Sequence, residues 1–464
     1  MARNRGPQER ADALILFGVT GDLAKRRLFP ALYELEEDGE LDMPVVGVSR
    51  SNDDDEALRR RARESLESAG VDIDEAVFAR FASRLRHVPG DYRDPETFQR
   101  IGDLVGERRC TVSYLAIPPE LFDDVIQGLA AAGLHERGRV VVEKPFGRDE
   151  KSARELSEII HSYYPEDRVY RIDHFLGKEA LQNLMVFRFS NTLLEPIWNR
   201  HYIRGVQVTM AEDFAVEGRG AFYDSVGAMR DVVQNHLLVL VSLLAMEPPV
   251  SDQPDAIRDE RVKVLEAAEA LSVENVVTGQ YRGYHDEKGV SADSMTETYF
   301  AAKMEIDSWR WAGVPWIIRA GKGMKTTVTE AVIEFVRPPR LYFADDRQTP
   351  GPNRLVFRVT PQDRIVLGMQ AKRPGPEIVS EPVSLTLEYG EERGEAQDAY
   401  HKLLGDALHG DQSLFARVDS VMEAWRIVQP VIDASPEPFV YERGSMGPTE
   451  SDALLDPDWE WLSG

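Results

Sequence analysis

A strand, a glycine turn and a helix follow one another near the start of the chain, and this order restricts the possible folds most strongly. The apolar run 12–17 leads into the turn GVTGD at 18–22, and the next residues have the apolar spacing of a helix. Such a turn directs helix N–H groups at a phosphate, although it also fits a plain strand-to-helix turn that needs a positive φ. The candidate cofactor-binding residues here are Gly18, Thr20, Gly21, Asp22 and Leu23.

Strands and helices continue to alternate through the first part of the chain. TVSYLAIPP and RVVVEKPFG have the character of strands, and ELFDDVIQGLAAAG between them that of a helix. From about residue 203 the pattern changes to runs with period-two alternation and few helices between them. We therefore expect an α/β Rossmann-type cofactor domain over residues 1–173. An α+β domain with a large, mainly antiparallel sheet should follow over 174–464.

Two basic residues stand at predicted strand ends. Arg50 follows MPVVGVS, at a position where NAD enzymes usually carry an acid for the ribose hydroxyls, whereas an arginine suits a 2′-phosphate. Together with Thr20 it favours NADP over NAD. Lys144 precedes Pro145, which ends the strand, so the lysine can reach both a sugar hydroxyl and the cofactor. Arg50 as a solvated surface residue, and Lys144 as a cap of the strand edge, remain alternatives.

Charge and cysteine content exclude several classes of protein. The net charge of −25 argues against nucleic acid or an anionic membrane as a partner. The longest apolar helical stretch, 237–246, is too short to span a bilayer, and the N-terminal segment lacks the pattern of a signal peptide. A single cysteine, Cys110, excludes an intramolecular disulfide and a cysteine-built metal site. We expect a buried thiol, a cytoplasmic location and no metal.

The segment 171–179, RIDHFLGKE, carries one imidazole and one ammonium that can together hold a phosphate dianion. It resembles the signature RIDHYLGKE of the glucose-6-phosphate dehydrogenases. GVTGDLAKR, EKPFG and DVVQNHLL resemble further motifs of that family in the same order. The resemblance implies that the chain oxidises glucose 6-phosphate to 6-phospho-glucono-1,5-lactone with hydride transfer to NADP, the first step of the oxidative pentose phosphate pathway. It also implies a homodimer or a dimer of dimers.

The resemblance also implies a role for each matching residue. His236 is the general base, and Asp173 orients its imidazole. His174 and Lys178 take the substrate phosphate. Sugar contacts are implied for Lys144, Glu212, Asp231, Lys322 and Lys325. With Lys25 and Lys178, these three lysines are five of only 11 in the chain, so ammonium groups are concentrated where anionic ligands are expected.

Simpler interpretations stand beside these roles. His236 lies in 224–246, which is expected to form one mostly buried helix, and a histidine there is more often a hydrogen-bonded core residue. Glu212 and Asp231 fit surface acids equally well. Phe175 replaces the family's tyrosine, which predicts a weaker grip on the phosphate. Two other functions remain open: an NADP-dependent oxidoreductase of another sugar or sugar phosphate, and a non-catalytic NADP sensor.

Overall fold

The computed structural model describes residues 9–107, 110–340, 342–343, 351–388 and 399–462. The chain forms two compact units. The first consists of Met1–Lys178, Val250–Arg258 and Gln397–Val421, and the second of Glu179–Pro249, Asp259–Ala396 and Met422–Gly464. The domain boundary predicted after residue 173 stays a proposal.

Helices of α type occupy both units. Their bounds are α1 Phe29–Glu37, α2 Asp55–Ala69, α3 Glu75–Arg84, α4 Pro95–Val105, α5 Phe122–Ala131, α6 Glu150–His161, α7 Glu179–Phe189, α8 Gly220–Asp224, α9 Leu238–Ala245, α10 Pro254–Ala267, α11 Ala399–His409 and α12 Val418–Ala434. Two π-helical segments, Ala24–Leu28 and Met229–Leu237, lead directly into α1 and α9. No helix among the described residues is long and apolar enough to cross a membrane.

The described part of the first unit contains a six-stranded sheet in the order β3-β2-β1-β4-β5-β6. Every neighbouring pair in it is parallel, as the alternation of strands and helices predicts. Both faces are covered, so successive residues such as Ile15 and Leu16, which point to opposite faces, are both buried and each contributes about 1.5–3 kcal/mol. The strands are β1 Ala13–Phe17, β2 Val45–Ser49, β3 Leu85–Pro89, β4 Thr111–Leu115, β5 Arg139–Glu143 and β6 Val169–Ile172.

A late segment of the chain, 397–421, completes the first unit. Its helix α11 packs against α1, and the main-chain N–H of Ala11 donates a hydrogen bond of 2.8 Å to the carbonyl of Leu408. The buried guanidinium of Arg139 donates to the carbonyls of Ala407 and Leu408. An isolated antiparallel bridge joins Arg171 to Ala416. The first unit is therefore not continuous in sequence.

The described part of the second unit contains a nine-stranded sheet in the order β14-β13-β12-β11-β7-β10-β9-β8-β15. The pairs β7–β10 and β8–β15 are parallel and the other neighbours are antiparallel, so the predicted mainly antiparallel sheet is confirmed. The strands are β7 Ile203–Ala211, β8 Val276–Tyr281, β9 Tyr299–Met304, β10 Trp316–Gly321, β11 Val328–Phe335, β12 Arg354–Thr360, β13 Arg364–Lys372, β14 Ser380–Glu388 and β15 Phe439–Tyr441.

Two local predictions can be compared with the structure. Cys110 is buried at 3% exposure, and loss of solvation raises the pKa of its thiol, as expected for an unreactive core cysteine. The predicted single helix over 224–246 is wrong in its first part. The chain leaves the helical path at 225–226, helix resumes at 227, and Met229–Leu237 takes the π form rather than the α form.

Candidate functional site

The glycine turn has the geometry that a phosphate cradle requires. Gly18 follows β1 with φ of +80°, and a Cβ atom there would lie 2.1 Å from the carbonyl oxygen of Ala116. Only glycine fits this position without displacing the backbone. The N–H of Gly21 donates to the carbonyl of Gly18 at 2.9 Å, and the helix starts at Asp22, followed by Leu23. The helix N-terminus and Thr20 thus lie at the carboxyl end of β1, where dinucleotides bind in such sheets.

Arg50 lies at the same edge of the sheet. It follows β2 and is exposed. Burial raises the pKa of Tyr92, and the positive charge of Arg50 acts in the opposite direction, so the guanidinium lies near this phenol. The Tyr92 hydroxyl in turn accepts the N–H of Gly18 at 3.0 Å. Arg50 and the glycine turn are therefore brought together by one tyrosine.

The end of β5 presents Lys144 beside an acid that the sequence analysis did not single out. Glu143 accepts a hydrogen bond from the hydroxyl of Tyr114, a fully buried residue of β4. Burial raises the pKa of Glu143 to about 7, while the Tyr114 hydrogen bond and the charge of Lys144 oppose the rise. The sequence signal for this group was available, since Glu143 directly precedes the lysine of EKP.

Asp173 follows β6, and Glu143 of β5 lies opposite Ile172 in the parallel register. The Asp173 side chain is buried at 3% exposure, and its Oδ1 accepts the N–H of Phe175 at 2.9 Å. The negative charge of Asp173 contributes to the raised pKa of Glu143. Two carboxyl groups therefore share the edge formed by β5 and β6.

The two predicted phosphate ligands lie just beyond this edge. The imidazole of His174 stacks on Tyr400 with ring centroids 6.3 Å apart and planes 11° apart. Burial lowers the pKa of the Lys178 ammonium, and Asp173 counteracts this effect. The Lys178 Nζ lies 5.2 Å from the centre of the Phe175 ring, so Phe175 supports the ammonium through its π face. The first unit brings Lys144, Asp173, His174 and Lys178 to adjacent strand ends.

In the second unit, Lys322 is held between two acids. Its Nζ hydrogen-bonds to the Glu212 carboxylate and lies 3.7 Å from Oδ2 of Asp231. The strands β7 and β10 run parallel side by side, and the N–H of Glu212 donates to the carbonyl of Gly321 at 2.9 Å. The two residues that follow these strands are consequently neighbours.

The lysine head group also faces the Tyr223 ring at 5.2 Å, and the residue is only 7% exposed. A carboxylate–ammonium–carboxylate arrangement offers both donors and acceptors to sugar hydroxyls. Lys325, three residues further on, is exposed rather than buried with this cluster.

His236 lies five residues after Asp231 on the π-helical segment Met229–Leu237. Its side chain is 4% exposed, and its main-chain N–H donates to Oδ1 of Asn235 at 2.6 Å. A π-helical turn replaces the usual i→i−4 pattern and is frequent at functional sites. The second unit thus places the predicted base on the same helical segment as one member of the Lys322 cluster.

Two sequence models of protein families match the chain. The family model of the NAD binding domain of glucose-6-phosphate dehydrogenase matches residues 15–183, and that of its C-terminal domain matches residues 185–462. The chain belongs to the glucose-6-phosphate dehydrogenase family. Glucose-6-phosphate 1-dehydrogenase 1 of Mycobacterium bovis is 43% identical over 98% of this chain and 96% of its own length. Glucose-6-phosphate 1-dehydrogenase of Bacillus subtilis is 38% identical over 97% of this chain and 98% of its own length.

Solved structures of glucose-6-phosphate dehydrogenases agree with this assignment. The Mycobacterium avium enzyme superposes with a TM-score of 0.91 at 42% identity, covering 98% of this chain and 99% of its own. A glucose-6-phosphate dehydrogenase in complex with its substrate glucose-6-phosphate superposes with a TM-score of 0.92 at 35% identity, covering 99% and 100%. The family assignment that RIDHFLGKE and the three other motifs predict is therefore confirmed.

Proposed function

We propose that this chain oxidises glucose 6-phosphate at its anomeric carbon to 6-phospho-glucono-1,5-lactone, with NADP as the hydride acceptor. The observation that carries the proposal is the basic pair His174 and Lys178, which follows β6 beside Lys144 in a chain of net charge −25. A phosphorylated substrate needs such a local concentration of cations. Membership of the glucose-6-phosphate dehydrogenase family supports the same activity.

The proposed reaction breaks two bonds at the anomeric centre. The C1–H bond electrons leave as hydride to the nicotinamide, the O–H proton passes to His236, and a C1=O bond forms. An imidazole suits this task because a general base works best when its pKa lies near the operating pH. Asp173 would hold that imidazole in the required tautomer and stabilise the imidazolium. Glu212, Asp231, Lys322 and Lys325 would orient the sugar hydroxyls.

The proposed cofactor contacts are the glycine turn and Arg50. The helix N-terminus that begins at Asp22 would receive the pyrophosphate, and Lys144 would reach the cofactor as well as the sugar. A guanidinium can donate two parallel hydrogen bonds to the oxygens of a 2′-phosphate. Arg50→Ala should therefore weaken the binding of NADP far more than the binding of NAD. Titration calorimetry with both cofactors would test this. An equal effect on both would remove Arg50 from the 2′-phosphate.

The decisive experiment follows reduced nicotinamide by absorbance with purified protein, NADP and glucose 6-phosphate. Free glucose and NAD serve as parallel substitutions for the two phosphorylated compounds. We expect rapid reduction of NADP that requires the 6-phosphate of the sugar and the 2′-phosphate of the cofactor. Reduction with another sugar would favour a related oxidoreductase, and NADP binding without any reduction would favour a sensor.

We further propose a homodimer or a dimer of dimers in the cytoplasm. Support for self-association comes from an apolar face on β13 and β14. Antiparallel pairing puts Met369 beside Val383 and Leu367 beside Leu385 on one side of the sheet. Leu385 is 61% exposed and Met369 41%, which is unusual for apolar side chains that form a continuous patch. A second copy of the chain would cover this surface.

A further inference from the structure

A histidine that the proposed mechanism does not use lies beside the segment that carries Arg50. His87 belongs to β3, the neighbour of β2, and is 9% exposed. Parallel pairing puts it opposite Gly47, and puts Ser49 opposite Pro89. The imidazole is thereby directed at the point where β2 ends and the chain turns towards α2.

The ring of His87 joins the two ends of this turn. Its Nε2 lies 3.0 Å from Oγ of Ser49, the last residue of β2. Its Nδ1 lies 2.8 Å from the main-chain carbonyl of Asp53. Because a carbonyl only accepts hydrogen bonds, Nδ1 carries the proton that this contact needs. One side chain of a neighbouring strand therefore spans the segment 49–53, with Arg50 inside it.

Further contacts strengthen the same segment. The hydroxyls of Ser49 and Ser51 are 2.8 Å apart, and Ser51 donates to Oδ2 of Asp53 at 2.8 Å. The main-chain N–H of His87 donates to Oδ1 of Asp55 at 2.7 Å. The charged groups around this network are Arg61 near Asp53 and both Arg59 and Arg86 near Asp55. These ion pairs keep the acids of the turn occupied, so Arg50 is not needed to neutralise them.

We propose that His87 is a positioning residue for cofactor selectivity: it ties Ser49 to Asp53 and so fixes the turn from which Arg50 meets the 2′-phosphate of NADP. The inference rests on the cofactor role proposed for Arg50, and not on turnover. A side chain as long as arginine loses much conformational freedom when it binds a ligand, and a fixed backbone reduces the remaining cost. NAD has no 2′-phosphate and gains nothing from this arrangement.

The test compares the dissociation constants of NADP and NAD by titration calorimetry in His87→Ala and Ser49→Ala. His87→Ala should raise the value for NADP about tenfold, as expected for lost hydrogen bonds that position a charged group, and leave NAD nearly unchanged. Ser49→Ala removes the Nε2 contact and the contact with Ser51 but keeps the bond from Nδ1 to the Asp53 carbonyl, so it should give a smaller shift of the same kind. It also guards against the case in which His87→Ala does not fold.

His285→Ala is the matched control, because that ring also bonds to a carbonyl, of Ala292, and to a side-chain oxygen, of Gln280. It should leave the NADP-to-NAD ratio unchanged. Equal weakening of both cofactors, or an unchanged ratio in His87→Ala and Ser49→Ala, would overturn the inference. Arg50→Ala separates the two proposals: if it does not lower NADP selectivity, the cofactor role of Arg50 fails, whereas a loss seen in Arg50→Ala alone overturns only the role of His87.

Discussion

The carboxyl group of Glu143 links local burial to a measurable pH dependence. Its pKa is raised from 4.5 to about 7, mainly because its surroundings exclude solvent. The folded chain therefore keeps a proton on Glu143 at pH values where the unfolded chain has lost it. Stability from this group is fully present below about pH 4.5 and is lost as the pH rises through about 7.

Glu143→Gln removes the free-energy cost of ionising this carboxyl group in the folded chain. The glutamine keeps an oxygen that can accept the Tyr114 hydrogen bond. The free energy of unfolding of the variant, relative to the parent, should rise by about 1–3 kcal/mol between pH 5 and pH 8. Urea denaturation of both proteins at the two pH values measures the difference. The exposed Glu136→Gln serves as the control. A difference that does not change with pH would contradict the raised pKa.

Replacing the proposed base should separate chemistry from cofactor binding. His236→Asn should lower kcat by about 10²–10⁴, the usual contribution of a general base, and should leave the dissociation constant of NADP close to that of the parent. Stopped-flow or steady-state absorbance gives kcat, and fluorescence titration gives NADP affinity. A comparable loss of NADP binding would show that His236 does not act as the base.

Candidate site residues can be read from the sequence more readily than their partners can. RIDHFLGKE and EKPFG are local strings, so they name Lys144, His174 and Lys178 as candidates without any knowledge of the fold. The bond between Lys322 and Glu212 joins residues far apart in sequence and exists only because β7 and β10 pair in parallel. Tyr114 and Glu143 likewise meet across two strands. Such contacts depend on topology, which no short motif encodes.

At the scale of single elements, the turn after β1 depends on the absence of one side chain. Gly18→Ala combines an unfavourable positive φ with a Cβ that would overlap the Ala116 carbonyl. The substitution should lower the free energy of unfolding by about 3 kcal/mol or more and should weaken binding of both cofactors. Denaturation curves and cofactor titration measure the two effects.

Gly39→Ala provides the comparison for the turn. Gly39 has a similar φ of +75°, but nothing lies within 4 Å of the added Cβ. Only the backbone cost of about 1–2 kcal/mol should remain, with no effect on the cofactors. Equal losses for the two substitutions would show that close packing at Gly18 is unimportant.

Elements with a clear apolar period were predicted, and the others were not. The short, turn-bounded apolar runs in WIIRA and RIVLGMQAK predict strands, and β10 and β13 lie there. The strand β15 has three residues and pairs with β8, more than 150 positions earlier in the chain, so local alternation gives little signal. The π form of Met229–Leu237 was missed because nine residues are too few to distinguish its period from that of an α-helix.

At the scale of the whole molecule, the apolar face of β13 and β14 predicts the oligomeric state. Leu385→Glu puts a charge in the centre of this face and should convert a dimer to a monomer, as measured by sedimentation velocity. Thr386→Glu is the matched control, since Thr386 is exposed on the opposite side of the same strand. Dissociation caused by both substitutions, or by neither, would place the contact between copies elsewhere.

The return of segment 397–421 to the first unit has a consequence for how the protein is made. During translation, β1 to β6 leave the ribosome long before α11, so the surface of α1 that α11 covers must wait for almost the entire second unit to be synthesised. Nascent chains would expose an apolar helix face throughout this interval. A premature stop anywhere between β7 and α11 would therefore leave two unfinished units, and a chain must extend to residue 421 to contain the whole first unit.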